Sequence, residues 1–198
     1  DVHKIETVSG WGVRLLNPVW NRANVLSGTN AEEPERGLSA EGRDFIHVLE
    51  EHEIYPDVSH LSDAGFWDLV RMAKRPIVAS HSNARAVCPH RRNLTDDQFR
   101  AIRDLGGVVG LNLYLDFVGQ PTMDALAAHV EHFLNLNGEK TVCLGGDLDG
   151  CDVLPDGMHG LRDYALLETN FEKWGFGEQI VRNLFYQSLE KVVKLCIM

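Results

Sequence analysis

The stretch from Asp57 to His81 reads Asp57-Val58-Ser59-His60, then a short amphipathic segment, then Pro76-Ile77-Val78-Ala79-Ser80-His81. Each apolar run stops at a histidine, where a loop begins. Between them, Ser62 to Ala73 places Phe66, Leu69, Val70 and Ala73 on one helical face. Near-continuous apolar strands separated by a helix are the pattern of a parallel sheet covered by helices. In such sheets ligands and chemistry collect at the C-terminal ends of the strands.

Working outward, the same alternation repeats. Ser39 can cap a helix that runs to Glu51, ahead of a strand from Ile54 to His60. Thr95-Asp96-Asp97-Gln98 has the form of a capping box, and the helix it opens stops at Gly106-Gly107. A strand from Val108 to Tyr114 comes next, then a helix from Met123 to Leu136 with Leu126, Val130, Phe133 and Leu134 inward. Thr141-Val142-Cys143-Leu144 leads into Gly145-Gly146-Asp147-Leu148-Asp149-Gly150, and two helices close the chain, about Leu161 to Trp174 and Glu178 to Lys194. Toward the start, Gly12 to Asn17 reads as a buried strand stopped by Pro18, and Trp20 to Glu35 as a long polar loop. Residues 1–10 carry no clear period. The count is five strands in 198 residues. A closed eight-stranded barrel takes ~250, so the expectation is an open sheet or a barrel that has lost its beginning.

The formal net charge is −10, with 29 acidic against 19 basic residues and no Lys/Arg stripe, which argues against nucleic acid and anionic membrane as partners. No apolar run reaches the roughly 18 residues of a membrane span. The four cysteines, Cys88, Cys143, Cys151 and Cys196, are scattered without a C-x-x-C pair. Reduced thiols and a cytoplasmic setting are the default expectation.

His60, His81 and Asp147 all fall at strand ends and so converge on one rim. Two imidazoles on neighbouring parallel strands, ~4.8 Å apart, can share one ion. Zinc takes three or four protein ligands, so the pair is part of a set. Asp147 and Asp149 flank Leu148 in a glycine-rich turn. That turn is either simple Asx turn chemistry or a general acid/base aimed into the mouth. Arg91 and Arg92, about ten residues after His81, are either solvated or a clamp for a substrate carboxylate. The remaining histidines read as surface or structural.

Taken in order, Gly37-Leu38-Ser39, Asp57-Val58-Ser59-His60, Ser80-His81-Ser82-Asn83-Ala84, Arg91-Arg92-Asn93-Leu94 and Gly145-Gly146-Asp147-Leu148-Asp149-Gly150 resemble the C-terminal half of the membrane (renal) dipeptidase family. The resemblance runs from about Gly12 to the end. It implies a parallel (β/α) barrel of the metal-dependent hydrolase type with two zinc ions, a homodimer, hydrolysing the peptide bond of dipeptides through a metal-bound hydroxide. By the same resemblance, His60 and His81 bind the second zinc, Arg92 holds the substrate's terminal carboxylate, and Asp147 is the acid/base. Asn112 and Tyr114 line the same cavity with no role assigned.

The chain also departs from the family. Members begin with an Asp-x-His-x-Asp strand. Asp1-Val2-His3 is similar to its start, but Ile5 stands at the second carboxylate, and Glu6-Thr7 does not match the later Glu-Gly bridge. Trp20 replaces a histidine that some members use against the substrate. The expectation is a single partial barrel over residues 1–198, truncated to about five of eight strands, with 1–10 as an N-terminal remnant. The alternative is a non-catalytic remnant serving as an oligomerisation or binding module. A phosphotriesterase-like hydrolase is disfavoured, since no lysine stands at a strand end for a carbamylated bridge.

Overall fold

The computed structural model describes residues 4–195. Five short strands alternate with helices: β1 (Leu15–Leu16), β2 (Tyr55–Pro56), β3 (Val78–Ala79), β4 (Val108–Asn112) and β5 (Val142–Gly146). β1 pairs parallel with β2, and β3, β4 and β5 form a second parallel sheet in that order. A single parallel bridge, Asp57 to Val78, joins the two sheets. All strands therefore run the same way, and their C-terminal ends share one rim.

The helices are α1 (Lys4–Gly10), α2 (Ala40–Glu51), α3 (Asp63–Met72), α4 (Asp96–Asp104), α5 (Leu115–Val118), α6 (Met123–Asn135), α7 (Tyr164–Lys173), α8 (Glu178–Arg182) and α9 (Ser188–Leu195). Their starts reflect local chemistry. Ser39 accepts the Gly42 N–H and Ser62 the Gly65 N–H, while Thr95 and Gln98 close a full capping box. Helix α4 ends where Gly106 takes a φ of 78°, and α6 ends before Asn137 at 59°.

The strands are shorter than the apolar runs suggest, for chemical reasons. Pro56 has no N–H for the ladder. Beyond it, the Asp57 carboxylate takes the Ser59 and Ser80 N–H groups at 3.0 and 3.1 Å, which removes those donors from strand pairing. Two expectations need correction. Leu15 is exposed, so the first strand is not buried throughout. Residues 4–10 form a helix whose Ile5 lies in the core, so Ile5 does not stand on a ligand-bearing strand. The proposed match at Asp1-Val2-His3 lies outside the described residues, as does Cys196; Cys88, Cys143 and Cys151 are free thiols.

The main core fills the space between sheet and helices, with Phe99 of α4 and Phe133 of α6 stacked at 4.2 Å. The other face of the strands carries Tyr55, Val78, Val108 and Cys143, which pack with Val192 of α9. Toward the rim this face narrows to glycine. A Cβ at Gly110 would sit 2.1 Å from the Ser80 carbonyl oxygen, and one at Gly145 2.0 Å from the same atom. Only glycine lets the three chains approach there. Among the described residues, no helix is long and apolar enough to cross a membrane.

Candidate active site

Asp57 is 2% exposed at the end of β2, and its carboxylate anchors the two serines behind the histidines. Oδ1 accepts the Ser59 hydroxyl at 2.7 Å, and Oδ2 accepts the Ser80 hydroxyl. Ser80 has one proton, and it goes to Asp57. The 2.6 Å contact between Ser80 Oγ and His81 Nδ1 therefore has the imidazole as donor. This leaves His81 Nε2 as a bare lone pair, the tautomer that a carboxylate-backed metal ligand uses.

His60 Nε2 lies 3.0 Å from His81 Nε2, and Arg92 Nη2 lies 3.2 Å from the same His60 nitrogen. A guanidinium has only protons to give, so His60 Nε2 is an acceptor there. That contact occupies the one lone pair of His60 Nε2, which turns to an ion shared with His81 only once the guanidinium has moved off it. Two nitrogens bound to one tetrahedral zinc sit about 3.3 Å apart at ordinary Zn–N distances, so the pair has the spacing and the tautomers for a shared cation. Burial, reinforced by Arg92 and His81, pushes the His60 pKa down to about 3, and burial also lowers that of His81. Both rings are neutral at pH 7, as metal ligation requires. Two nitrogens are half a zinc set. Among the described residues, no group of three or more His, Cys, Asp or Glu side chains could hold a metal ion.

Arg92 is 7% exposed, and burial lowers its pKa to about 10, so it remains charged at pH 7. Its Nη1 is buried with no hydrogen-bond partner among the described residues, and its guanidinium lies 5.2 Å from the Phe117 ring centroid. The neighbouring Arg91 is exposed and takes no part.

Asp147 comes directly after Gly146 in a left-handed backbone, φ 61° and ψ 38°, with Gly146 itself at φ 74°. Aspartate tolerates this region better than most residues. The turn aims the carboxylate inward: Oδ2 is 3.9 Å from His81 Nε2 and accepts Asn112 Nδ2–H at 3.0 Å. Asp149 is exposed. A cavity of about 700 Å³ opens over His60, His81, Arg92 and Asp147, with Tyr114 and Trp20 on its wall. Trp20 is 71% exposed, its ring 6.5 Å from that of His60.

All four residues selected from the sequence thus meet at one cavity. What the sequence left unassigned is the support behind them: Asp57, Ser80 and Asn112. A carboxylate inside an apolar run, three residues before a strand-end histidine, was the available signal for Asp57.

Comparisons with known proteins bear on the family and the fold. The family model for membrane dipeptidases, peptidase family M19, matches residues 1–196. A Klebsiella pneumoniae protein described as lying in the pqqA 5′ region is 38% identical over 196 residues, 92% of this chain and 72% of that protein. An uncharacterized dipeptidase of Schizosaccharomyces pombe is 36% identical over 154 residues, 75% of this chain and 36% of its own length. A metallo peptidase from Rhodobacter sphaeroides, crystallised with a phosphinate mimic of the dipeptide L-Ala-D-Ala, matches with a TM-score of 0.90 at 30% identity. The match covers 97% of this chain and 58% of that one. A structure described as dipeptidase AC, an M19 metallo peptidase, gives 0.89 at 31% identity, covering 97% and 60%. The chain thus spans about three fifths of these solved proteins. With a family match that runs nearly end to end, the chain belongs to the membrane dipeptidase family, peptidase family M19.

Proposed function

We propose that the chain is a zinc-dependent dipeptidase-like hydrolase, built as part of a (β/α) barrel and acting as a homodimer. The observation that carries this reading is the close approach of His60 Nε2 and His81 Nε2, 3.0 Å apart, at one cavity with Arg92 and Asp147. His60 and His81 would hold a zinc ion. When bound, such an ion polarises the substrate carbonyl and acidifies water.

The remaining work falls to the chain's own side chains. The buried Arg92 guanidinium, with Nη1 free among the described residues, offers a fork for the terminal carboxylate of a dipeptide. Its burial excludes competing water and fixes which end of the substrate enters. Asp147 Oδ2, 3.9 Å from His81 Nε2, stands where a carboxylate can take a proton from the attacking water and return it to the departing amine. Trp20 covers the mouth beside His60. In the Rhodobacter sphaeroides relative, the bound phosphinate mimics a dipeptide, which supports the same substrate class here.

The test is metal content by inductively coupled plasma mass spectrometry, with H60A and H81A beside the parent, and then dipeptide hydrolysis with D147N. Near-stoichiometric zinc that vanishes in both histidine variants, and turnover lost in D147N, are the expected results. Absence of metal from the parent chain would replace this reading with a non-catalytic association module, which the lack of a three-donor group among the described residues favours.

A further inference from the structure

Asn112 ends β4 with no exposed surface, and both Nδ2 and Oδ1 of its amide are hydrogen-bonded. Nδ2 donates to Asp147 Oδ2 at 3.0 Å, the oxygen that faces His81. Oδ1 accepts the Tyr114 N–H at 2.7 Å. Behind it, Asn83 locks the Asn112 backbone twice: its Oδ1 accepts the Asn112 N–H at 2.9 Å, and its Nδ2 donates to the Asn112 carbonyl at 3.0 Å. Asn83 is tied in turn to Asn93, which accepts its N–H at 3.2 Å and sits next to Arg92 in the chain. A register shift between Leu111 and Asn112 brings Asn112 opposite Gly146, one residue before Asp147.

Three buried amides in contact are costly unless all are satisfied, and a satisfied network specifies one geometry. Asp147 needs such support. Its backbone is left-handed, its side chain is 29% exposed, and the hydrogen bond its carboxylate accepts among the described residues comes from Asn112.

We propose that Asn112 is a positioning residue for Asp147: its Nδ2–H holds Oδ2 toward His81, while Asn83 and Asn93 tie that placement to the segment bearing Arg92. The inference rests on the reading of Asp147 as the proton-carrying carboxylate. A carboxylate displaced by about 1 Å loses on the order of 100-fold in rate.

The experiment compares N112L, which keeps the branching at Cγ without a donor, and N112A, which removes the donor with less bulk, both in the full chain. Crystal structures of the variants are expected to show Oδ2 moved by more than about 0.5 Å, the tolerance of a working site. With zinc added, kcat for a dipeptide is expected to fall on the order of 100-fold with KM nearly unchanged. In a D147N background the same substitution is expected to add no further loss. Oδ2 holding its place in whichever variant folds overturns the proposal, as does a rise in KM with kcat intact. If D147N turns over like the parent, the acid/base reading falls, and the crystallographic displacement still decides whether Asn112 positions the carboxylate.

Discussion

Arg92 reaches His60 through Nη2 while Nη1 lies buried without an acceptor among the described residues, so charge and fork geometry can be separated by substitution. R92K keeps the positive charge and loses the planar pair of donors. One charge-assisted hydrogen bond contributes about 1.5–3 kcal/mol, so KM for a dipeptide is expected to rise roughly 10- to 100-fold, with kcat little changed. Initial-rate kinetics on the zinc-loaded chain check this. An equal loss in kcat would mean that Arg92 acts on the reacting centre and not on the substrate's end. At this scale the sequence spoke through placement: His60, His81 and Asp147 stand where apolar runs end, and Arg92 falls between His81 and Asp147 in the family's order. Asn112 was named only as lining the cavity, and Asp57 and Ser80 went without a role, because the Asp57–Ser80 and Asn112–Asp147 contacts run across strands, 23 and 35 positions apart.

Helices α2, α3 and α4 were legible nearly to the residue because their starts are decided locally, by Ser39, Ser62 and the Thr95–Gln98 box, whereas α5 was not read at all and the helix read over Glu178 to Lys194 is interrupted by a π-helical segment at Asn183–Gln187. T95A is expected to cost about 1 kcal/mol by chemical denaturation, the usual value of an N-cap. Strands were overread where Pro56 and the Asp57 carboxylate interrupt the ladder. Helix α1 was missed because seven residues with one buried side chain carry no readable period. Helix α6 adds a contact that only the fold reveals: His129 accepts the Ala84 N–H at Nδ1 and donates from Nε2 to the Val118 carbonyl, each at 3.1 Å. It is fully buried, and desolvation, with a smaller push from His132, holds its pKa below 6.5 against the Val118 bond, which acts the other way. The unfolded chain takes up that proton as pH falls through about 6.5, while the folded one resists it. The contribution of His129 is therefore present above that pH and is lost progressively below it. Urea unfolding across this range is expected to show a shallower decline for H129Q than for the parent. His60 and His81 are depressed in the same direction, so some decline remains. Identical slopes would mean that His129 is protonated as readily folded as unfolded.

Across the described residues, the five parallel strands share one rim, and the candidate site sits on it, away from the Tyr55, Val78, Val108, Cys143 and Val192 cluster. A ligand that binds the folded chain alone stabilises it by mass action, about 2.7 kcal/mol at a hundred times its Kd. Added zinc is expected to raise the thermal midpoint in a concentration-dependent way, and H60A or H81A to remove the increase. A chelator-insensitive midpoint in the parent would count against a shared cation at this pair. The Ser80 carbonyl, held between Gly110 and Gly145, bears on heredity as well as packing. Every missense change at either codon adds at least a Cβ where about 2 Å is free, beside the serine that sets the His81 tautomer. In a library of all single substitutions, both positions should read as blank columns, as intolerant as the histidines, although neither glycine has a side chain with which to touch a substrate.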